Sequence, residues 1–128
     1  EKNRGKVIYF DFWARWCPPC LAEMEPLKQL RSKFSTDDLI IYSICVSEPK
    51  EQWEECLNEY SLKNRGIECV HVTDYLGIDN YQKIRKQWKI DRMPYYVLIN
   101  RKGQIIDFGT AARPSNPQLV SRIEEAVK

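Results

Sequence analysis

The segment from residue 7 to residue 20 constrains the fold most, because a buried strand in it leads almost at once into a helix. Residues 7–13 are β-branched or aromatic except for Asp11, a composition typical of a strand covered on both faces of a sheet. Apolar residues then recur at helical spacing over residues 18–34, where proline is tolerated in the first turn. Cys17 and Cys20 are therefore expected at a strand-to-helix junction.

The rest of the chain alternates predicted strands and helices. Helix starts are indicated near Ser47, Asp79 and Ser115, and further strands are predicted over residues 39–46, 67–72, 95–99 and 104–108. Only four residues ending in Gly103 separate the last two strands, so they should form an antiparallel hairpin. This order predicts an α/β fold with a central mixed sheet, mostly parallel with a C-terminal antiparallel hairpin, flanked by helices on both faces.

Composition limits the classes of function. The 128 residues suit a single domain, and 20 basic against 18 acidic residues, interspersed along the chain, leave no basic stripe for nucleic acid. No apolar run approaches the roughly 20 residues that a membrane-spanning helix needs. Five cysteines are an odd number, and only one pair is closely spaced, which is not the pattern of a disulfide framework.

The closely spaced pair, Cys17 and Cys20, can close a disulfide with little backbone movement. A helix N-terminus stabilises a thiolate, so Cys17 at the helix tip is expected to be the exposed nucleophile. Cys20 lies about one turn further along and is expected to be shielded and to resolve a mixed disulfide. Asp11, a carboxyl in an apolar strand, would have a raised pKa suited to accepting the proton of Cys20.

Other interpretations of these residues stay open. Cys17 and Cys20 could instead hold zinc, with Cys69 and His71 as the second ligand pair, although this spacing is a poor match to known zinc sites. Asp11 could be a strand-end carboxylate that reaches solvent. The remaining cysteines, at positions 45, 56 and 69, are interpreted as small buried apolar residues without a function.

The motif Phe-Trp-Ala-Arg-Trp-Cys-Pro-Pro-Cys at residues 12–20 resembles the active-site segment of thioredoxins. With Gly-Lys-Val at residues 5–7 and Ala-Glu-Met at residues 22–24, the chain is similar to the bacterial TlpA and ResA group of envelope thiol-disulfide oxidoreductases. This resemblance implies one thioredoxin-like domain over residues 1–128. It also implies a cis proline at Pro94, with Met93 and Trp16 lining the substrate groove, and a buried acid at Asp11.

The resemblance further implies what such a protein works with. No cofactor is expected besides the redox-active disulfide Cys17–Cys20, and no metal is expected. Its expected partners are protein disulfide or dithiol substrates and an upstream thiol electron donor, with no nucleic acid and no membrane span in this chain. The expected location is the periplasm or cell envelope, with the cytoplasm as the alternative.

The sequence also departs from that group. Pro26 lies six residues after Cys20, where the group has proline at the fifth position, and the N-terminal strand and hairpin that usually precede Gly-Lys are not found. The chain is therefore expected to be the C-terminal part of a longer protein. Two rival functions are a tryparedoxin-like electron donor to a peroxidase and a non-catalytic peptide-binding module whose cysteines form a static disulfide.

Overall fold

A computed structural model describes residues 5–47, 50–75 and 78–128, without the side chains of residues 74, 75 and 78. Within these ranges the strands are β1 (Val7–Trp13), β2 (Leu39–Cys45), β3 (Ile67–His71), β4 (Tyr95–Ile99) and β5 (Ile105–Gly109). The helices are α1 (Pro18–Ala22), α2 (Met24–Lys33), α3 (Lys50–Glu59), α4 (Val72–Tyr75), α5 (Ile78–Gln87) and α6 (Pro117–Ala126). The strands form one sheet in the order β3-β2-β1-β4-β5.

The sheet is mixed, as predicted, with β1 at its centre. Strand β1 pairs parallel to β2, and β2 pairs parallel to β3, whereas the β1–β4 and β4–β5 pairs are antiparallel. The predicted C-terminal hairpin is confirmed. Its turn is closed by hydrogen bonds between Asn100 and Gln104 and between Gly103 and Asn100, and Gly103 adopts φ +82°, which glycine reaches without steric cost.

Each face of the sheet is covered by helices and carries its own apolar cluster. The cluster that we call the α2 cluster includes buried residues from β1, α1, α2, β4 and α6, among them Tyr9, Trp13, Cys20, Leu27, Tyr96, Leu119 and Ile123. The second, which we call the α5 cluster, includes Phe12, Tyr42, Ile44, Tyr81, Ile90 and Val97. Because successive side chains of a strand point to opposite faces, Asp11 shares the face of Tyr9 and Trp13, which is that of the α2 cluster.

The helix predicted after the cysteine pair is divided in two. Helix α1 ends at Ala22 and α2 begins at Met24, with Glu23 as the shared cap residue. Pro26 has no backbone N–H to donate to the carbonyl of Ala22 four residues earlier, so a continuous helix would lack that hydrogen bond. As the third residue of α2, Pro26 occupies a position where the N–H would have no intrahelical partner in any case.

Three local details differ from the sequence-based expectations. Helix α4 was not predicted. Asp79 lies in the first turn of α5 rather than before it. Helix α6 is capped by Asn116, whose side chain accepts a hydrogen bond from the Gln118 N–H, and not by Ser115. In the parts of the chain that the structure describes, no helix is both long and apolar enough to span a bilayer.

Candidate active site

Cys17 and Cys20 form a disulfide at the start of α1, with their Cα atoms 5.3 Å apart. Cys17 is the N-cap of α1 and has an extended backbone, so its side chain points toward the first turn. The next two residues are prolines, which carry no N–H, and the first available donor is the N–H of Cys20. It lies 3.3 Å from the Sγ of Cys17. This helix terminus therefore offers the Cys17 sulfur one backbone donor together with the helix dipole.

The predicted contrast in exposure between the two cysteines is not seen in the disulfide form. Cys17 is 4% exposed and Cys20 is 2% exposed. The disulfide bond directs the Cys17 sulfur toward Cys20, and both residues belong to the α2 cluster. The exposed parts of the motif are instead the flanking side chains, above all Trp16, which is 69% exposed.

Asp11 lies in the middle of β1, where it pairs with Ser43 of β2 and Tyr96 of β4. Its side chain is buried in the core, so the interpretation as a strand-end carboxylate that reaches solvent is wrong. The pKa of Asp11 is raised to about 8, mainly by burial of the carboxyl and in smaller part by the negative charge of Glu23. A carboxyl with that pKa can both accept and donate a proton near neutral pH.

Glu23 is a residue of this site that the sequence interpretation missed. It stands at the break between α1 and α2, where its two carboxylate oxygens accept hydrogen bonds from the backbone N–H of Ser115 at 2.9 Å and from the Ser115 hydroxyl at 2.7 Å. The Nε of Arg113 lies 4.0 Å from the same carboxylate. The sequence carried two signals for Glu23: its place one helical turn after Cys20, and its presence in the Ala-Glu-Met segment at residues 22–24 that resembles the TlpA and ResA group.

Tyr96 is the second residue that was missed. It stacks on Tyr9 with ring centroids 5.8 Å apart, and among the described residues its buried hydroxyl has no hydrogen-bond partner. Burial raises its pKa, and the charge of Asp11 adds to that effect. The neighbouring Tyr9 hydroxyl is satisfied, since it donates to the carbonyl of Ala112 at 2.6 Å. Tyr96 thus places a neutral polar group on the strand position directly beside Asp11.

Pro94 precedes β4, and the Met93–Pro94 peptide bond is cis, in agreement with the expectation for this position. Pro94 is buried, and its carbonyl accepts a hydrogen bond from the Thr110 hydroxyl at 3.0 Å. Met93 and Trp16 line the same surface cavity, of about 310 Å³. The structure therefore brings together Trp16 and Met93, the two side chains that were expected to form a groove.

The loop between β1 and the cysteine pair is fixed to the neighbouring strands by Ser47. The Ser47 hydroxyl accepts the backbone N–H of Arg15 at 3.0 Å. The Ser47 carbonyl lies 2.7 Å from the Nε2 of His71, whose Nδ1 accepts the N–H of Thr73. Because Nδ1 is an acceptor, Nε2 carries the proton of the neutral ring and donates it to Ser47. His71 therefore has a structural role in supporting this loop.

The alternative zinc site requires Cys69 and His71 as ligands. Both ring nitrogens of His71 are engaged in the hydrogen bonds just described, and the Cys69 thiol faces the carbonyls of Leu62 and Ile67. Over residues 5–47, 50–75 and 78–128, no three metal-ligating side chains are grouped closely enough to hold an ion. Burial raises the pKa of each thiol at positions 45, 56 and 69, which disfavours their thiolates.

Comparison with known proteins agrees with this geometry. The model of the Redoxin family matches residues 1–127. Thiol-disulfide oxidoreductase ResA of Bacillus thuringiensis (strain Al Hakam) is 26% identical over 104 residues, which cover 81% of this chain and 54% of that protein. Sporulation thiol-disulfide oxidoreductase A of Bacillus subtilis (strain 168) is 23% identical over 103 residues, covering 80% of this chain and 58% of that protein. The chain spans about half the length of the curated relatives it matches.

Solved structures give the same result. A candidate thiol-disulfide oxidoreductase from Bacteroides vulgatus, solved in solution, has a TM-score of 0.73 and 33% identity, covering 95% of this chain and 74% of that one. A secreted disulfide oxidoreductase of Mycobacterium tuberculosis has a TM-score of 0.71 and 21% identity, covering 95% and 83% of the two chains, which shows a shared fold. The chain belongs to the Redoxin family, and its resemblance to the TlpA and ResA group of thioredoxin-fold oxidoreductases is confirmed.

Proposed function

We propose that this chain is a thiol-disulfide oxidoreductase that reduces or exchanges protein disulfides through Cys17 and Cys20. The observation that carries the proposal is the disulfide between these residues at a helix N-terminus, on the same face of the sheet as a buried carboxyl whose pKa is about 8. A static structural disulfide does not need an acid buried in the core nearby, because such a group costs stability. Redox exchange does need a group that moves a proton.

In the first step, the reduced protein attacks its substrate. The Cys17 thiolate attacks one sulfur of the substrate disulfide, a bond forms between that sulfur and the Cys17 Sγ, and the other substrate sulfur leaves as a thiolate. The hydrogen bond from the Cys20 N–H and the dipole of α1 both favour the thiolate form of Cys17. Trp16, which is next to Cys17 in the chain, and Met93, which lines the same cavity as Trp16, hold the substrate chain.

In the second step, Cys20 resolves the mixed disulfide. The Cys20 thiol gives its proton to the Asp11 carboxylate, directly or through a water molecule, and the resulting thiolate attacks the Cys17 Sγ. The bond between Cys17 and the substrate breaks, the substrate leaves with both sulfurs reduced, and the Cys17–Cys20 disulfide is formed. Two electrons have passed to the substrate, and an upstream dithiol must return two electrons to the pair before the next cycle.

The partners follow from this chemistry. They are protein disulfides or dithiols and a thiol electron donor, and no cofactor other than the cysteine pair takes part. We place the protein in the periplasm or cell envelope. Support comes from the similarity to the TlpA and ResA group, and a cytoplasmic location is the alternative. A single thioredoxin-like domain, acting within a longer protein, fits these relatives, which are longer than this chain.

The decisive measurement is the equilibrium potential of the cysteine pair, titrated in glutathione or dithiothreitol buffers and read by mass after thiol alkylation. A single two-electron transition is expected. A potential near the value of about −270 mV for thioredoxin would define a reductant, whereas a value near about −120 mV would define an oxidant. Absence of any transition, together with failure to reduce insulin, would leave a peptide-binding module.

Two variants test the assigned roles. With Cys17→Ser, reduction of insulin disulfides should be lost entirely. With Cys20→Ser, the protein should accumulate as a mixed disulfide with its substrate, because the resolving thiol is missing. Cys56→Ser is the matched control, since Cys56 is a free thiol outside the pair. Rapid electron transfer to a peroxidase, with little reduction of insulin, would favour the tryparedoxin-like alternative.

A further inference from the structure

Beside the cysteine pair, the α5 side of the molecule has a groove with an apolar base and a charged edge. The groove is the cavity of about 310 Å³ that Trp16 and Met93 border. Its base is formed by the buried Tyr81 and Ile90 and the half-buried Val46. Trp16 directly precedes Cys17 in the chain, so a substrate chain joined to Cys17 lies close to the part of this groove that Trp16 borders.

The edge of the groove carries more positive than negative charge. Arg85 and Arg92 line it together with one acid, Asp91. Among the described residues, the guanidinium of Arg85 makes no ion pair, and its Nε donates to the carbonyl of Ile90 at 3.1 Å. That hydrogen bond holds the side chain at the groove. Arg92 meets Asp91 only loosely, at 3.8 Å, with both side chains more than 70% exposed.

A third arginine lies next to Trp16 in the chain, although it does not line the groove. Arg15 precedes Trp16, and its guanidinium donates to the neutral Oε1 of Gln52 at 3.1 Å. In its first turn, α1 has no acidic residue to offset these charges. An apolar base next to guanidinium groups suits a polypeptide segment that has a large apolar side chain followed or preceded by carboxylates.

We propose that this groove selects the substrate, favouring protein disulfides whose cysteine is flanked by an apolar residue and acidic residues. The inference rests on the proposed oxidoreductase function and adds a substrate class to it. The apolar side chain fills the space over Tyr81 and Ile90, while the carboxylates face Arg85 and Arg92. Segments rich in lysine or arginine are disfavoured because like charges meet at the same edge.

The test uses peptide dimers of one length, joined by a disulfide between the single cysteines of the two chains. Each chain also has one leucine, and beside the leucine it has two glutamates, two glutamines or two lysines. One set places these residues after the cysteine and a second set places them before it. Pre-reduced protein is mixed with each peptide, quenched by alkylation, and analysed by mass for the rate of oxidation. A small uncharged disulfide is run in parallel.

In at least one set, the second-order rate constant for the glutamate peptide should exceed that for the lysine peptide by about tenfold at low salt, with glutamine between them. The ratio should fall toward one in about 0.5 M salt, where surface charges are screened. Replacing leucine with serine should lower the rate for the glutamate peptide. Arg92→Glu should abolish or invert the preference, and because its side chain is exposed the substitution leaves the core intact.

Lys83→Glu is the matched control, because it makes the same charge change on an exposed residue of α5 that does not line the groove. This variant should keep the preference of the unmodified chain. Equal rates for all peptides, or an equal loss of preference in both variants, would overturn the inference. If the protein still reacts with the small uncharged disulfide, the proposed oxidoreductase function is not affected by that result. Failure to react with any disulfide would overturn both.

Discussion

At the scale of single residues, Asp11 shows which properties of the site can be predicted from the sequence alone. An isolated carboxyl in an apolar strand is recognisable as costly from its neighbours in the chain, because charged groups are seldom buried without a partner. Its burial and raised pKa follow from the fold. The contribution of Glu23 could not be foreseen, since residues 11 and 23 approach one another only when α1 turns back over β1.

Replacing Asp11 with asparagine should stabilise the oxidised protein, and the gain should grow with pH. The folded-state pKa of about 8 lies above the unfolded value of about 4, so the folded state binds the proton more tightly. Wild-type stability therefore falls as pH rises through this window, by up to about 1.4 kcal/mol per unit from this residue alone. Unfolding in urea from pH 4 to pH 9 measures the difference.

In that experiment Asp11→Asn should be more stable than wild type by several kcal/mol at pH 9 and nearly equal to it at pH 4. A difference that does not change with pH would mean that Asp11 does not titrate in this range. The same variant should also slow resolution by Cys20, which would be observed as a longer-lived mixed disulfide in single-turnover experiments with a protein disulfide.

Glu23→Gln should lower the pKa of Asp11, because it removes the negative charge that disfavours ionisation of the buried carboxyl. The carboxyl carbon shift of Asp11, followed by NMR against pH, reports this directly. Glu25→Gln is the matched control two residues along, since Glu25 is exposed and pairs with Lys28 at 2.9 Å. An unchanged midpoint in Glu23→Gln would remove Glu23 from the electrostatics of the site.

At the scale of helices and strands, the sequence predicts which elements exist better than it predicts where they end. Hydrophobic spacing identifies the strands within about a residue, because burial on two faces leaves a strong pattern. The start of α6 was assigned to Ser115, a good capping residue by type. Its hydroxyl instead donates to Glu23, which is 92 positions away in sequence, so Asn116 caps the helix. Long-range contacts of this kind are invisible to local pattern.

Asn116→Ala should destabilise the protein by about 1 to 2 kcal/mol. It removes the cap to the Gln118 N–H at 3.0 Å and the hydrogen bond from its Nδ2 to the Ala111 carbonyl at 2.8 Å. Asn116→Asp keeps an acceptor for the cap and loses only the second bond, so it should cost less. Urea unfolding of both variants at neutral pH gives the comparison, and equal losses would show that the cap contributes little.

At the scale of the whole molecule, the sequence predicted a mixed sheet between two helical layers, and the element order was enough for that. It did not predict that β1 lies at the centre, because strand order depends on pairings between segments far apart in sequence. The sheet divides the interior into the α2 cluster and the α5 cluster. Side chains on opposite faces of a sheet share few direct contacts, so their energetic effects should be independent.

Ile123→Val in the α2 cluster and Ile90→Val in the α5 cluster test this independence. Each removes one methylene from a buried side chain and should cost about 0.5 to 1.5 kcal/mol. In the double variant the two losses should add to within about 0.5 kcal/mol. The measurement is the unfolding free energy of both single variants and the double variant in urea. A larger coupling energy would mean that the sheet transmits strain between its faces.

The division of the interior also separates two tasks. The cysteine pair and Asp11 lie on the α2 side, whereas Tyr81 and Ile90, at the base of the groove, lie on the α5 side, and Met93 packs against both clusters. Substitutions on α5 can therefore change which substrate proteins are recognised while the cysteine pair and Asp11 remain unchanged. The same separation is useful in protein engineering, because substitutions in the groove would direct disulfide exchange to other substrates without altering the reacting residues.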